Sequence, residues 1–82
     1  MVNRTFKPLS LELHGVGKYR EVGSVYAAVE CLTLHWPVGH GGAFVAALLA
    51  CQEAVDGKGT AQAVRTALIV AALEAGVFIR RE

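Results

Sequence analysis

The chain has 82 residues and a net charge of +1, with 54% hydrophobic and only 18% charged residues. This length fits a single small domain, residues 1–82, and the near-neutral charge gives no overall electrostatic reason to bind nucleic acid or a membrane. No run of about 20 apolar residues is long enough to span a membrane, and the N-terminus lacks the apolar run of a signal peptide. We therefore expect a cytoplasmic protein.

The hydrophobic fraction is high for so small a domain. Soluble domains are typically about 25% charged, and a chain of this size buries roughly 60% of the surface that it exposes when unfolded. Some apolar surface should therefore remain exposed, and large exposed apolar surfaces usually mark contact sites. We expect a homo-oligomer, most simply a two-fold dimer. The alternative is a monomer with many alanines on its surface.

The N-terminal part has the pattern of a β-hairpin. Residues 6–14 alternate between apolar and polar, which predicts a half-buried strand with three leucines on one face. Gly15-Val16-Gly17 predicts a turn, and residues 18–23 predict a second, more polar strand at a sheet edge. The side chains expected to pack from these strands are Leu9, Leu11, Leu13, Tyr19, Arg20 and Val22.

A first helix is predicted after this hairpin. Ser24 is a suitable N-cap because its hydroxyl can accept a hydrogen bond from a free amide of the first turn. The helix should cover residues 25–35 and end before Pro37, because proline disfavours helical geometry in the residue that precedes it. Its inward-facing residues are predicted to be Val25, Ala28, Val29 and Leu32.

The stretch from Gly41 to Gly57 predicts the central helix. Nothing polar interrupts it from Ala43 to Cys51, and a helix that is apolar all round is expected to be buried. Gly57 is predicted to end it. The residues of its main stripe are predicted to be Phe44, Ala47, Leu48, Cys51 and Val55, with Val45 and Leu49 away from that stripe.

A third helix is predicted from its cap at Thr60 to about Ala75, ended by Gly76. Its main stripe is Val64, Leu68, Ala71 and Ala75. Ile69, Val70 and Leu73 widen this stripe, so we expect the third helix to be well buried too.

Residues 77–79 are strand-forming and predict a third strand that joins the hairpin. The predicted order is β-β-α-α-α-β. This is an α+β domain with a small three-stranded sheet, made of the N-terminal hairpin and the C-terminal strand, packed on three helices.

Several short motifs, in this order, resemble those of a known family. They are Tyr19-Arg20-Glu21-Val22, Trp36-Pro37 with a glycine loop, Cys51-x-x-Ala54-x-x-Gly57, Ala63-Val64-Arg65 and Leu73-Glu74-Ala75-Gly76-Val77. The chain resembles domain-of-unknown-function family number 982, small proteins abundant in rhizobia and related α-proteobacteria. The resemblance spans nearly the whole chain and implies a compact α+β fold. It implies no activity and provides no catalytic residues.

The glycine loop before the central helix is the candidate contact site. Trp36, His40, Gly41 and Gly42 are its residues, and free amides at a helix N-terminus can receive a small anion. The alternative is a structural loop that lets Trp36 pack and the helix begin. Trp36 itself is interpreted either as a platform for a ligand or partner, or as a lid over the core.

Other candidate residues have mainly structural interpretations. Arg65 is expected either to pair with Glu30, Glu53 or Asp56, or to cover apolar surface with its stem. Cys31 and Cys51 are interpreted as small buried hydrophobes, with a disulfide between them as the less favoured alternative. Cys31, His35, His40 and His14 include zinc-ligand types, but the paired short spacing of structural zinc sites is missing. No metal or cofactor is predicted.

No set of residues predicts an enzyme. Ser10 and Ser24 are assigned to a strand and a cap, and the carboxylates are scattered instead of converging on a pocket. The first functional hypothesis is an interaction or accessory domain that acts as a homodimer or on a protein partner. The second is a module that binds a small anion at residues 39–42. The third is a nucleic-acid binder, which has thin support because its cations are diluted by acidic residues; these cations are Arg4, Lys7, Lys18 and Arg20.

Overall fold

The computed structural model describes residues 4–13, 17–37 and 41–81, without the side chain of Arg81. Its elements are strands β1 (Thr5–Glu12) and β2 (Tyr19–Ser24), helices α1 (Val25–Glu30), α2 (Gly42–Val55) and α3 (Ala61–Ala75), and strand β3 (Ile79–Arg81). This order confirms the predicted β-β-α-α-α-β arrangement of an α+β domain.

The three strands form one antiparallel sheet in the order β2-β1-β3, so the C-terminal strand joins the hairpin as predicted. The inner face of this sheet carries Leu9, Leu11 and Val22, all fully buried. Tyr19 lies opposite Glu12 on the outer face and is 37% exposed, so its predicted packing role is wrong. Side chains alternate along a strand, and Tyr19 is three positions from Val22, which places the two on opposite faces.

The first helix begins as predicted but changes its winding. The amide of Ala27 donates to Ser24 Oγ at 3.1 Å, which confirms the N-cap. The chain is α-helical only to Glu30 and continues as a π-helical segment, Cys31–His35. Within this segment the Thr33 hydroxyl donates to the Val29 carbonyl at 2.7 Å. The predicted helical bounds, residues 25–35, are therefore confirmed, but the last five residues have π-helical winding.

Helices α2 and α3 end in the same way. Gly57 and Gly76 both have positive φ, +80° and +72°, and the amide that follows each glycine bonds back to a carbonyl five residues earlier. This is the Schellman motif. After α3 it uses Val77, whose amide donates to Ala72 at 2.8 Å, so β3 begins at Ile79 and not at the predicted residue 77. The predicted cap of α3 is confirmed, because Ala63 N–H donates to Thr60 Oγ1 at 3.0 Å.

Helix α2 packs mainly against α1 and α3, which in turn contact the sheet. In α2 the buried residues are Ala47, Cys51 and Ala54, whereas Val45 and Leu49 are 49% and 60% exposed. The expectation that α2 is buried on all sides is therefore wrong for the protomer. Its neighbours α1 and α3 cover only one side of it. Within residues 4–13, 17–37 and 41–81, no helix is long and apolar enough to cross a membrane.

Helix α3 is also exposed on one side. Val64, Leu68, Ala71 and Ala72 are buried. Val70 and Leu73, which were predicted to widen this stripe, are instead 50% and 69% exposed.

Candidate functional site

The predicted contact site lies at the start of α2, and its helix amides are already occupied. Gly41 is the N-cap and Gly42 the first residue of the helix, while His40 lies outside the described residues. The amide of Ala43 donates to Glu74 Oε2 at 3.1 Å, and that of Phe44 to Glu74 Oε1 at 3.2 Å. The carboxylate of the chain itself therefore occupies the place that the sequence assigned to an external anion.

Antiparallel packing of α2 and α3 explains how this contact arises. Glu74 lies in the last turn of α3, where a negative charge is disfavoured by the helix's own dipole, but next to the N-terminus of α2, where it is favoured. A Cβ at position 41 would overlap this carboxylate, so a larger residue there would displace the Glu74 side chain from its contacts with α2. The role of Glu74 was not predicted from the sequence, although an acidic residue at a helix C-terminus was a signal. An external anion at Gly41 and Gly42 would have to displace Glu74.

Trp36 packs against the same end of α2. Its ring lies 6.4 Å from that of Phe44, with the planes tilted by 37°. Its Nε1 atom is buried, and no hydrogen-bond partner for it is found within residues 4–13, 17–37 and 41–81. These contacts favour the lid interpretation over the exposed platform.

Arg65 does not make the predicted ion pair in the described part of the chain. Its Nε instead donates to the Lys7 carbonyl at 2.9 Å, which ties α3 to β1. The ion pair found in this part of the chain joins Arg20 to Glu30 at 2.7 Å. Arg65 was expected to reach across the turn between α2 and α3, but its position in the helix faces β1.

The two cysteines are buried free thiols, so the alternative of a disulfide between them is excluded. Burial raises the pKa of Cys31 and that of Cys51 to about 11. For Cys31 the nearby Arg20 charge opposes this rise, and Glu30 adds to it. Neither thiol is suited to nucleophilic chemistry, which requires the thiolate. Among the described residues, no group of three His, Cys, Asp or Glu side chains is placed to hold a metal ion.

A shallow apolar groove between α1 and α2 was not predicted. Its volume is about 380 Å³. Residues from both sides line it, namely Tyr26, Val29, Thr33, Leu48, Cys51, Gln52 and Val55.

Helices α2 and α3, which pack against each other, also expose apolar side chains. We call this exposed apolar surface the outer face and define it by Val45, Ala46 and Leu49 of α2 with Val70 and Leu73 of α3. All five are exposed, and no charged residue occurs in 42–52 or 66–73. The sequence predicted exposed apolar surface but did not locate it.

The fold and these contacts can be compared with known proteins. A family profile described as "Protein of unknown function (DUF982)" matches residues 7–79. The chain belongs to the DUF982 family. This confirms the resemblance noted in the sequence, and the family description assigns no activity. Neither the curated proteins nor the solved structures provide a match.

Proposed function

We propose that this DUF982 protein is a non-enzymatic interaction domain of the cytoplasm that forms a two-fold homodimer through its outer face. The observation that carries the proposal is the exposure of four large apolar side chains on two adjacent helices. Val45, Leu49, Val70 and Leu73 are 49%, 60%, 50% and 69% exposed. Exposed apolar surface of this kind is typical of contact sites.

The protomer is already compact, so its dimer would form from folded subunits. Its accessible surface is 4754 Å², close to the roughly 4,700 Å² expected for a monomer of this mass. A standard interface buries about 800 Å² per partner, about a sixth of this surface. The residues of the outer face lie in two segments without charged residues, 42–52 of α2 and 66–73 of α3. A two-fold axis across the outer face would place Leu49 of one copy near the same helices of the other.

The non-enzymatic part of the proposal rests on how the reactive side chains are used. Both thiols are buried, with their pKa raised to about 11. The hydroxyls of Ser24 and Thr60 accept hydrogen bonds from helix amides as N-caps. These groups support the fold and do not converge on a pocket.

Sedimentation velocity at increasing protein concentration tests this proposal. We expect the wild type to become dimeric at high micromolar concentration and Leu49→Glu to remain monomeric, because two like charges would face each other across the interface. Leu34→Glu is the matched control, since Leu34 is also an exposed leucine (71%) but lies on the π-helical segment. A monomeric wild type would contradict the proposal. Equal loss of the dimer in both variants would exclude the outer face.

A further inference from the structure

Half of the cations in this chain lie at one corner, where β1 and α3 both begin. We call this set the basic corner and define it as Arg4, Lys7, Lys58 and Arg65, four of the eight Lys and Arg residues. Arg4 Nη1 donates to the Gly59 carbonyl at 2.6 Å. Arg65 Nε donates to the Lys7 carbonyl at 2.9 Å. These two contacts bring both guanidinium groups to the same end of the sheet and helix layer.

Few carboxylates compensate this charge. Two carboxylates near the turn that holds Lys58, those of Glu53 and Asp56, offset part of the charge of the four cations. The first turn of α3 carries no acidic residue. Lys58 follows the C-terminus of α2, where the helix dipole favours a cation, and the carbonyl contacts of Arg4 and Arg65 stabilise the fold. Each of these contacts uses one N–H group of a guanidinium that has five.

We propose that the basic corner binds the phosphate groups of a small phosphorylated ligand. Each arginine donates one N–H group to a backbone carbonyl, which fixes the guanidinium while its remaining N–H groups can bind an oxyanion in a forked geometry. Lys7, whose carbonyl accepts from Arg65, and Lys58, which precedes Gly59, are both exposed. A ligand with two phosphate groups fits this set of two positioned arginines and two flanking lysines.

The aromatic residues distinguish this ligand from a nucleic acid. Proteins that bind single strands combine a basic surface with aromatic side chains that stack on bases. Among the exposed aromatic residues found in the described part of the chain, Tyr19 and Phe78 lie near Glu12, at the other end of the sheet. Tyr26 lies nearer the basic corner, because it follows Val25, whose amide donates to the Arg4 carbonyl at 2.9 Å. A single aromatic side chain provides no row on which successive bases could stack. This site is separate from the start of α2, where the Glu74 carboxylate lies.

An NMR titration with pyrophosphate tests the proposal without relying on the dimer. We expect saturable amide shifts at Gly59, Ala61 and Ala63, and about tenfold weaker binding in Arg65→Gln through loss of a charge-assisted contact. Lys58→Gln should also weaken binding, and because Lys58 is exposed this variant should fold normally. The matched control is Lys18→Gln, an exposed cation at the opposite end of the hairpin, which should bind like the wild type.

Three results would overturn the proposal. The first is the absence of saturable shifts at the corner, and the second is equal weakening in Lys18→Gln. The third is much tighter binding of a short oligothymidylate than of pyrophosphate, which would assign the site to nucleic acid instead of a small ligand. Tighter binding of pyrophosphate than of the oligothymidylate, with selective loss in Arg65→Gln and Lys58→Gln, supports it.

Discussion

The contact between Glu74 and the start of α2 makes a quantitative prediction about stability. Glu74→Gln keeps the size of the side chain and one acceptor oxygen but removes the negative charge and one of the two hydrogen bonds to Ala43 and Phe44. Loss of the charge at a helix N-terminus costs about 0.3–1 kcal/mol, and loss of one hydrogen bond about 0.5–1.5 kcal/mol. We expect a total decrease of about 1.5 kcal/mol in the free energy of unfolding.

A substitution at Gly41 should perturb the same contact between Glu74 and the start of α2. Its backbone has φ −77° and ψ 160°, which any residue can adopt, but a Cβ there would meet the Glu74 carboxylate. Gly41→Ala should therefore displace the carboxylate and cost about as much as Glu74→Gln. In the Glu74→Ala background, the same Gly41→Ala should cost less than in the wild type, because no carboxylate is displaced. What remains is the balance between the restricted unfolded chain, about 0.4–1 kcal/mol in favour of alanine, and the poorer N-cap that alanine makes.

Thermal and urea unfolding of the single and double variants measure this coupling. For a domain of this size, a loss of about 1.5 kcal/mol corresponds to a decrease in Tm of about 6–12 °C. Glu53→Gln is the control, since Glu53 is an exposed helical glutamate of α2, and its Tm should stay near that of the wild type. Additive effects of the changes at positions 41 and 74 would refute the reasoning, because residues that share a contact should be coupled.

Three further predictions concern the core, a cap and the thiols. Leu68 is fully buried, so Leu68→Ala should lower the free energy of unfolding by about 2–5 kcal/mol in urea titrations. Thr60→Ala should cost about 1 kcal/mol through loss of the Ala63 contact, measured as a lower Tm. Because burial raises the pKa of Cys31 and Cys51 to about 11 in the folded state, the unfolded chain loses these protons at a lower pH than the folded chain does. Stability should therefore be unaffected by these thiols below pH about 8 and decrease from pH about 9 to 11, less steeply in the double Cys→Ala variant.

The sequence by itself determined the local features of this protein. Ser24, Thr60, Gly57 and Gly76 define helix ends because caps and left-handed glycines act over a few residues, so the predicted boundaries at these positions are correct. The alternation of apolar and polar residues in β1 correctly predicted that Leu9 and Leu11 lie on the buried face. The element order, and with it the α+β class, followed from these local signals.

Only the tertiary structure decided the features that depend on distant residues. Glu74 reaches the amides of α2 across 30 positions, and Arg65 faces β1 because of how α3 lies on the sheet. The same packing left Leu49 and Leu73 exposed, although their helices have the composition of buried ones. Periodicity shows which side of a helix is apolar, but the elements that pack against it decide which sides are covered.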